Sequence, residues 1–486
     1  MSCIFVDNFK EMLTILALYV LPVFNLIGIA NALHAVMHVR SPRGTIAWVV
    51  TLITIPLLAI PLYWTFGRYK FHGYVKTRRE GDQEINVQVK AALASIEPWY
   101  VPLDGPAGRA FALYEELAGL RATHSNQLEL LTEGTIAFDR MFDAIRKATD
   151  YVLIHFYIVN DDNLGREFHT LLEERARAGI RVYFLFDRIG SHKLPSRYVR
   201  SLRMAGVHVH PFRSSRGRIA RLQINFRNHR KIVVIDGQTG FVGGFNVGDE
   251  YLGHDKRFGS WRDTAMQVTG PAAMSLQVPF MEDWHWITRE TLQLTWQAPG
   301  GETPGQEVLV LPTGPADELE TCHLYYLRAI NSAHERLWIC SPYFVPDQAL
   351  VSAIQLAALR GVDVRIMLPE KPDHLLVFLS SFSYFHELHQ VGARIFRYQP
   401  GFMHQKVLLV DNKITAVGSS NLDNRSCFLN FELNLLVAHP DFIQQVADML
   451  ARDFDQCREV VEDEMTCRHI GFQVMVRLAR VLSPLQ

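Results

Sequence analysis

Two segments of the sequence carry the same set of reactive side chains at the same spacing. Each segment reads His-x-Lys-x-x-x-x-Asp, and the two histidines are 175 residues apart. The residues concerned are His229, Lys231, Asp236, His404, Lys406 and Asp411. A lone histidine in a strand is more often part of the core than a catalyst. The duplication of all three residues at one spacing therefore indicates a site that uses two histidines.

Each motif is followed at a fixed distance by an asparagine, Asn246 in the first segment and Asn421 in the second. Residues two apart in a strand face the same side, so each histidine and its lysine point together. Lysine charge and asparagine amide protons suit phosphate oxygens, while one imidazole attacks phosphorus and the other protonates the leaving alcohol. This chemistry needs no metal, and the sequence shows no convincing cluster of metal ligands. The pattern therefore indicates phosphodiester chemistry without a cofactor.

The elements that must position these motifs are duplicated as well. Residues 145–159 match residues 330–345, and each is followed by a helical stretch that stops at a glycine, Gly179 or Gly361. Strands that alternate with glycine-terminated helices predict an α/β fold with a mostly parallel, buried sheet. Two copies predict two α/β/α units in a pseudo-two-fold arrangement, and a shared seam would bring their motifs together.

At these motifs the sequence resembles the phospholipase D superfamily, whose signature is the duplicated His-x-Lys motif followed by Gly or Ser and an asparagine. Within that superfamily it is similar to the bacterial cardiolipin synthases over nearly the whole chain. The further matching segments are Ser41-Pro-Arg-Gly44, Leu62-Tyr-Trp-Thr-Phe-Gly67, Asn126-Gln-Leu128, Trp261-Arg-Asp263, Gly270-Pro271, Ser341-Pro-Tyr-Phe-Val-Pro346, Asn421-Leu-Asp-Asn-Arg-Ser426 and Asn430-Phe-Glu432. The two copies differ at one position, where Gly244 in the first corresponds to Ser419 in the second. A phosphate-binding role for the Ser419 hydroxyl therefore has no counterpart in the first copy.

The resemblance implies transfer of a phosphatidyl group in two steps through a phosphohistidine. It implies that His229 is the nucleophile and that His404 is the acid and base. The pseudo-symmetry leaves the reverse assignment open.

The resemblance also suggests residues that support the histidines. Asp263 and Glu432 lie in equivalent segments after each motif and are candidates to orient the imidazoles by hydrogen bonds. Asp236 and Asp411, within the motifs, are expected to orient residues or support the structure rather than to transfer protons.

The function that the resemblance implies is the synthesis of cardiolipin from phospholipids. A phosphatidyl group would pass to the hydroxyl of phosphatidylglycerol, with release of glycerol. The donor could instead be phosphatidylethanolamine. The sequence also leaves the oligomeric state open. The alternative is a hydrolase that uses water as acceptor, either a phospholipase D or a membrane-tethered phosphodiesterase or nuclease. All of these would share the catalytic residues, so only the acceptor pocket and the exclusion of water separate them.

Two apolar runs near the N-terminus predict a membrane anchor. Residues 12–36 are almost entirely apolar, and residues 45–66 contain no charged residue. A helix of 22 residues spans roughly 33 Å, enough for the hydrocarbon core of a bilayer. The flanks carry six lysines and arginines against two in the connecting loop, which places the chain after residue 67 in the cytoplasm. We therefore expect a two-helix, multi-pass anchor in a bacterial inner membrane, and Pro56 and Pro61 leave a re-entrant course open.

Charge distribution favours a lipid substrate over nucleic acid. The chain has 49 lysines and arginines against 50 acidic residues, whereas a non-specific nucleic-acid binder usually has a basic excess. Residues 213–230 contain six arginines and no acid, which suits an anionic bilayer or a lipid headgroup. Residues 468–482 mix basic and apolar side chains without an acid, which suits an interfacial helix or a helix packed on the core.

Together these observations predict four regions. They are a membrane hairpin over residues 1–70, a linker and amphipathic region over 71–122, a first phospholipase D-like unit over 123–300, and a second unit over 301–486 that ends in an amphipathic helix.

Overall fold

The computed structural model describes residues 19, 21–39, 41–67, 83–213, 225–297, 305–460, 464 and 468–486. The chain divides into a small N-terminal unit and a much larger unit that contains both histidine motifs. Several positions used above lie outside the described residues: the boundary at residue 300, and the cations Lys10, Arg40, Arg68, Lys70, Lys76, Arg78, Arg79, Arg216, Arg218 and Arg221.

The described part of the N-terminal unit is helical. Its helices are α1 (Leu21–His38), α2 (Pro42–Thr54) and α3 (Pro56–Phe66). Within the described ranges, α1 is the one helix long and apolar enough to cross a membrane. The second apolar run is broken at Ile55 (φ −136°, ψ 59°), because Pro56 lacks an N–H and restricts the residue before it. The predicted hairpin of two spanning helices is therefore not confirmed, since the second run forms helices of 13 and 11 residues.

Small residues let these three helices pack closely. A Cβ added at Gly28 would lie 2.3 Å from the carbonyl oxygen of Leu52, so glycine permits the contact between α1 and α2. The Tyr63 hydroxyl on α3 lies 2.7 Å from His34 Nδ1 on α1. Many large apolar side chains face outward, among them Leu26, Leu33, Met37, Leu58 and Leu62. An apolar exterior of this kind is suited to lipid.

The larger unit begins with two helices and the first repeat. The helices are α4 (Gln83–Ile96) and α5 (Pro106–Ala118). The strands of the repeat are β1 (Thr123–Leu131), β2 (Tyr151–Phe156), β3 (Arg181–Asp187), β4 (His208–Phe212), β5 (Arg227–Asn228), β6 (Ile232–Ile235), β7 (Thr239–Gly243), β8 (Ser260–Arg262) and β9 (Ala265–Thr269). Its helices are α6 (Gly134–Arg146), α7 (Asn163–Arg177), α8 (Ser196–Met204) and α9 (Pro271–Thr288). All six residues of β2 are buried, as expected for a strand covered on both faces.

The second repeat follows the same plan. Its strands are β10 (Gln306–Thr313), β11 (Arg336–Cys340), β12 (Phe344–Val345), β13 (Asp363–Pro369), β14 (Arg394–Tyr398), β15 (Gly401–Met403), β16 (Val407–Val410), β17 (Ile414–Gly418), β18 (Leu422–Asp423), β19 (Asn430–Val437) and β20 (Cys457–Glu459). Its helices are α10 (Thr321–Ser332), α11 (Gln348–Leu359), α12 (Leu375–His389), α13 (Asn424–Phe428), α14 (Pro440–Asp455) and α15 (Ile470–Val481).

One mixed sheet runs through both repeats. Its order is β4-β3-β2-β6-β7-β9-β1-β10-β19-β17-β16-β11-β13-β14-β20. The order on one side of the antiparallel β1–β10 pair repeats in reverse on the other, with β20 as an added edge strand, as a pseudo-two-fold arrangement requires.

Parallel pairing within this order is confined to β2–β3–β4 and β11–β13–β14. The other neighbours along the order pair antiparallel. The prediction of a mostly parallel sheet is therefore wrong. Glycine-terminated helices reveal the parallel crossovers but not the hairpins β6–β7 and β16–β17, which carry the apolar half of each motif.

The C-terminal segment forms α15, which has two different faces. One face is buried against α12, where the rings of Phe472 and Phe382 lie 5.2 Å apart. The other face exposes large apolar side chains, namely Ile470, Val474, Met475, Leu478, Val481 and Leu482. The helix therefore packs on the core along one side and leaves an apolar surface along the other.

Candidate active site

The second repeat positions the segment that contains His229. Strand β5, directly before this histidine, pairs in parallel with the start of β19. The His229 amide donates to the carbonyl oxygen of Phe431 over 2.8 Å. Glu432 follows Phe431, so the pairing sets its carboxylate beside the imidazole, with Glu432 Oε2 2.9 Å from His229 Nδ1.

The first repeat positions His404 in the same way. Strand β15, directly before this histidine, pairs in parallel with β8. The His404 amide donates to the carbonyl oxygen of Arg262 over 2.7 Å. Asp263 follows Arg262, and its Oδ2 lies 2.7 Å from His404 Nδ1.

Each histidine is thus held by a carboxylate from the opposite repeat. Because the carboxylate occupies Nδ1, the imidazole orientation is set and Nε2 is the nitrogen for attack or proton transfer, with Lys406 Nζ beside Nε2 of His404. The sequence predicts Asp263 and Glu432 as orienting residues, and the structure places both at the histidines. The sequence does not reveal that the repeats exchange these carboxylates, because the exchange depends on contacts between residues 203 and 141 positions apart.

The two lysines make different contacts. Lys231 Nζ donates to the carbonyl oxygen of His229 over 2.8 Å and lies 5.5 Å from the centre of the Tyr157 ring. Lys406 Nζ lies 2.7 Å from Nδ1 and 3.2 Å from Nε2 of His404, and it also donates to the carbonyl oxygen of that residue. Both ammonium groups therefore lie close to their histidines, but only Lys406 contacts the imidazole.

Burial controls the protonation of all four groups. It lowers the pKa of His229 and of His404 to about 4, with the lysines lowering each value further and the carboxylates opposing the shift. Burial also lowers the pKa of Lys231 to about 7 and that of Lys406 to about 8. Lys406 contributes to the lowered pKa of His229, so the two motifs lie within electrostatic reach of one another. Both imidazoles are neutral near pH 7, as a nucleophile must be.

The Gly244/Ser419 difference has a steric cause. A Cβ added at Gly244 would lie 1.9 Å from Asp263 Oδ1, so the position must be glycine for this carboxylate to reach His404. In the second repeat Ser419 Oγ donates to Glu432 Oε2 over 2.6 Å. The Ser419 hydroxyl therefore supports the carboxylate that holds His229, and contact of this hydroxyl with phosphate stays a prediction.

The two asparagines are also not equivalent. Asn246 is anchored at both ends of its amide, because Oδ1 accepts from the Ile158 amide over 3.0 Å and Nδ2 donates to the Tyr251 hydroxyl over 2.9 Å. Asn421 is buried, and its Oδ1 has no hydrogen-bond partner among the described residues. Phosphate binding by either amide stays a prediction.

The aspartates of the motifs lie away from the histidines. Asp236 and Asp411 follow the four-residue strands β6 and β16, which puts them roughly 13 Å along the chain from the lysine end of each strand. The Asp236 carboxylate accepts from the amides of residues 149–151 at 2.8–2.9 Å, and that of Asp411 from the amides of residues 334–336 at 2.8–3.1 Å. Each therefore secures the start of a neighbouring strand, β2 or β11. This corrects their grouping with the catalytic residues and agrees with a supporting role.

A buried network that sequence reasoning missed lies behind each motif. Arg230 Nη1 lies 2.9 Å from Asp283 Oδ2, and Arg262 Nη2 lies 2.6 Å from Asp453 Oδ2. Gln405 Nε2 donates to Asp453 over 3.0 Å. Arg230 and Gln405 are the middle residues of the two His-x-Lys motifs, and the two aspartates lie on the corresponding helices α9 and α14. Asp283 lies in the largely apolar helix α9, which is a signal that could have revealed it, whereas Asp453 is one of several charged residues of α14 and gives no such signal.

Aromatic side chains, which the sequence analysis also did not identify, pack against the two imidazoles. The ring of Tyr157 lies 4.8 Å from that of His229. The rings of Trp261 and Tyr343 lie 5.1 and 6.4 Å from that of His404. Tyr157 and Tyr343 occupy equivalent places after β2 and β11. In the described part of the chain, no group of three or more His, Cys, Asp or Glu side chains is placed to hold a metal ion.

A duplicated α/β sheet whose seam buries two histidines, each with its lysine, is the architecture of the phospholipase D class of enzymes. The family described as "Cardiolipin synthase, PLD-like domain" matches residues 141–263 and 326–454, one match in each repeat. The family described as "Phospholipase D-nuclease N-terminal" matches residues 17–68.

Similar full-length proteins narrow the class further. Cardiolipin synthase A of Pseudomonas putida is 45% identical over 475 residues, covering 96% of this chain and 97% of the relative. Cardiolipin synthase A of Pseudomonas fluorescens strain Pf-5 is 46% identical over 475 residues, covering 96% and 98%. The crystal structure of phosphatidylserine synthase from Haemophilus influenzae shares the fold, with a TM-score of 0.56 at 16% identity over 74% of this chain and 95% of that one. The chain belongs to the bacterial cardiolipin synthase family of the phospholipase D superfamily.

Proposed function

We propose that this protein transfers a phosphatidyl group from one phospholipid to phosphatidylglycerol and so makes cardiolipin. The observation that carries the proposal is the pair of imidazoles held at Nδ1 by Glu432 and Asp263, which leaves Nε2 of each for the reaction. A two-step exchange of one phosphodiester for another needs one such group for phosphorus and one for a proton. The relatives named cardiolipin synthase A, similar over their full length, support a phospholipid as the substrate.

In the first step, His229 Nε2 donates its lone pair to the phosphorus of the donor lipid. The bond between phosphorus and the headgroup oxygen breaks, and that oxygen takes the proton from His404 Nε2. The phosphatidyl group is then bound to His229 through a P–N bond. His404 must be protonated at this stage, and the anionic phosphate of the bound donor favours this by raising its pKa. Lys231 and Lys406 balance the negative charge on the phosphate oxygens.

In the second step, His404 Nε2 takes the proton from a glycerol hydroxyl of phosphatidylglycerol. The hydroxyl oxygen attacks phosphorus, the P–N bond breaks, and its electron pair returns to His229. With phosphatidylglycerol as donor, the two steps release glycerol and yield cardiolipin.

Burial of the site supports a lipid acceptor over water. His229 and His404 are 8% and 7% exposed, and aromatic rings lie against both imidazoles. A site that excludes water protects the phosphohistidine from hydrolysis until the acceptor hydroxyl arrives.

The substrates place this enzyme at a membrane. Helix α1, with its apolar exterior, suits a membrane anchor, and the broken second run α2–α3 completes a hairpin that leaves the larger unit on the cytoplasmic side of the inner membrane. The exposed face of α15 provides a second contact, because it presents six large apolar side chains on a helix that carries arginines and no acid. Labelling of single cysteines placed on either side of α1 in intact cells tests this topology.

The product of the reaction tests the proposed function. Purified full-length protein in vesicles of phosphatidylglycerol should form cardiolipin and glycerol in equal amounts. Formation of phosphatidic acid and glycerol without cardiolipin would show that the enzyme is a hydrolase and would contradict the proposal.

Variants of the histidines control for contaminating activity. His229→Ala and His404→Ala should each lack the activity. His334→Ala is the matched control, because the side chain of His334 is 72% exposed and this variant should keep the wild-type rate.

A further inference from the structure

A cavity beside His404 contains a buried arginine that the proposed chemistry does not use. The cavity lies at the carboxyl ends of β13 and β14, next to the start of α12. Its lining includes Tyr343, Asp373, Phe378 and Arg397. The carboxyl ends of parallel strands are where α/β folds bind their ligands.

Arg397 is buried without a full set of partners. It is 2% exposed, and its Nη1 donates to the carbonyl oxygen of Pro369 over 2.9 Å. Its Nη2 is buried and has no hydrogen-bond partner among the described residues. In the same part of the chain no carboxylate lies within 4.0 Å of it, and Glu370 and Glu464 act on it only at longer range. A buried charge without a counter-ion is unfavourable, so the position is suited to receive an anion.

Three phenylalanines stabilise the guanidinium in this apolar setting. Its Cζ lies 4.8 Å from the ring centre of Phe378, 4.9 Å from that of Phe382 and 5.0 Å from that of Phe385. These rings come from one helix, α12, and hold the charge in place by cation–π contacts. They satisfy no N–H group, so they leave the unpartnered Nη2 available for hydrogen bonding.

The amino end of α12 is the second anion-binding element of the cavity. The lining includes residues 372–374, which lead into this 15-residue helix, and residues 377 and 378 in and after its first turn. Its N-cap residue, His374, makes no side-chain capping bond. The first amides of a helix carry a partial positive charge and bind anions. The one carboxylate in the lining, Asp373, already accepts from the Tyr343 hydroxyl and from the His374 amide.

The cavity adjoins the reacting groups on the His404 side. Tyr343 lines the cavity, and its ring lies 6.4 Å from that of His404. The Asp373 carboxylate is close enough to His404 and Lys406 to oppose the lowering of their pKa values by burial. The first repeat has no such arginine, because Pro211 takes the place of Arg397 in the equivalent strand and a buried carboxylate, Asp187, ends the strand beside it.

We propose that this cavity binds the phosphate of the acceptor phospholipid, with Arg397 and the amino end of α12 as its ligands. The inference rests on the proposed function, in which His404 takes the proton of the acceptor hydroxyl. In phosphatidylglycerol a three-carbon glycerol joins that hydroxyl to a phosphate, so an acceptor bound at His404 carries its own anion into the neighbouring space.

Acceptors with and without a phosphate test this inference. The full-length enzyme would receive a phosphatidyl group from phosphatidyl-p-nitrophenol, with either vesicles of isotopically labelled phosphatidylglycerol or glycerol as acceptor. In Arg397→Gln we expect transfer to phosphatidylglycerol to fall at least tenfold, mainly through KM, while p-nitrophenol release and transfer to glycerol stay within twofold of wild type. Arg397→Lys, which keeps the charge, should retain more of the transfer to phosphatidylglycerol than Arg397→Gln.

Arg394→Gln is the matched control, because Arg394 lies on the same strand in an exposed pair with Glu459. This variant should leave transfer to both acceptors unaffected.

The inference is overturned if Arg397→Gln leaves transfer to phosphatidylglycerol unchanged, or if transfer to both acceptors falls in parallel in all Arg397 variants. Inorganic phosphate should compete with phosphatidylglycerol in wild type only. If it binds through Arg397 while Arg397→Gln still uses phosphatidylglycerol normally, the site takes free phosphate and the lipid assignment is wrong. A wild-type enzyme that forms only phosphatidic acid contradicts the transferase proposal itself, whereas cardiolipin formation insensitive to Arg397 contradicts this inference alone.

Discussion

The two halves of the site hold their histidines with carboxylates of different length, Asp263 and Glu432. The residue that packs against each carboxylate differs accordingly: Gly244 lies beside Asp263, and Ser419 lies beside Glu432. In the first repeat Asp263 lies where a side chain at Gly244 would clash. In the second repeat the longer Glu432 leaves room for Ser419 and accepts its hydroxyl. Glu432 also accepts from Ser426 and Asn430, so it has more donors than Asp263. The Gly–Asp and Ser–Glu pairs are therefore alternative solutions to one task, and the absence of a hydroxyl at Gly244 is not a lost function.

The halves also differ at the ends of their parallel strands. In the first repeat Asp187 is buried and accepts from the amides of Ile189, Gly190 and Asn228 at 2.8–2.9 Å. In the second repeat the corresponding edge holds the incompletely paired Arg397. One edge is thus satisfied by the protein's own amides, whereas the other is suited to an external anion. The difference gives the two sides of a symmetric fold unequal roles.

The largest effect on activity should come from the His404→Ala variant, which should trap the phosphohistidine intermediate on His229. His404→Ala with phosphatidyl-p-nitrophenol should accumulate phosphate on His229, because this leaving group needs no proton while the acceptor hydroxyl loses its base. Overall transfer should fall roughly 10³-fold or more. Mass spectrometry of peptides from the quenched protein locates the phosphate. Phosphate on His404 in the His229→Ala protein would show that the two halves have the opposite roles.

Substitution of Gly244 and of Ser419 by alanine should lower kcat by unequal amounts. Gly244→Ala would force Asp263 away from His404, so we expect kcat to fall roughly 10–100-fold, as for loss of a residue that orients a reactive imidazole. Ser419→Ala removes the hydrogen bond donated to Glu432 and the one accepted from the Leu433 amide. Loss of the contact with Glu432, worth about 1 kcal/mol, corresponds to about a fivefold loss of kcat. Kinetics of both variants, with Asp263→Asn as reference, test the comparison. Equal losses would show that the two pairs are not alternatives.

The lysines should produce an alkaline limb in the pH profile. A lysine is charged below its pKa, and burial places the pKa of Lys231 at about 7 and that of Lys406 at about 8. As the pH rises through this range each becomes neutral and phosphate oxygens lose a cation, so kcat/KM should fall up to about tenfold per unit for each lysine. His229 must be neutral to attack, so with its pKa of about 4 it should limit the rate only at acid pH. A flat profile from pH 6 to 9 would exclude charged lysines from the mechanism.

A charge placed on the exposed apolar surface of the second repeat should lower activity more than one placed on the surface of the first repeat. Leu478→Glu on the exposed face of α15 should lower activity several-fold in anionic vesicles and leave it unchanged in detergent micelles, because insertion of the helix face in a bilayer would bury the new charge. Met204→Glu, at an 83% exposed apolar position of the first repeat, is the matched control. Equal activity of both variants in vesicles would count against contact between α15 and the bilayer.

The smallest effect on catalysis should come from the motif aspartates. Asp411→Ala leaves up to three backbone amides without their partner, which should lower the free energy of unfolding by about 2–3 kcal/mol. Asp236→Ala should behave alike, since its carboxylate holds the equivalent amides. Thermal denaturation measures the loss, and kcat of the folded protein should stay near the wild-type value. A large loss of kcat without loss of stability would return these residues to the catalytic set.

Much of the site was predictable because the relevant signal is local. The His-x-Lys spacing predicts that both side chains point the same way, and the structure places them together at both motifs. The two segments lie between β5 and β6 and between β15 and β16, not within a strand as predicted. The carboxylates Asp263 and Glu432 were predictable as residues, but not their exchange between repeats. Arg397 has no local signal, since a strand arginine is ordinarily exposed and only the packing of α12 shows that this one is buried.

Errors arose where a pattern described only part of an element. An uncharged run of 22 residues is long enough to span a bilayer, but Pro56 divides it into two short helices. Glycine-terminated helices indicate parallel crossovers, yet they say nothing of the antiparallel hairpins that make up the rest of the sheet. The motif aspartates were grouped with the histidines because they are near in sequence, although a four-residue strand carries them away from the site.

The sequence by itself determined the paired His-x-Lys motifs, their duplication and the family, because these depend on residue types at short, repeated spacings. The tertiary structure alone decided which carboxylate holds which histidine, why Gly244 must lack a side chain, and where Arg397 lies. These features depend on strands that are distant in the chain and pair across the seam between the repeats. Their side chains meet only when the sheet is complete, so no local spacing records them.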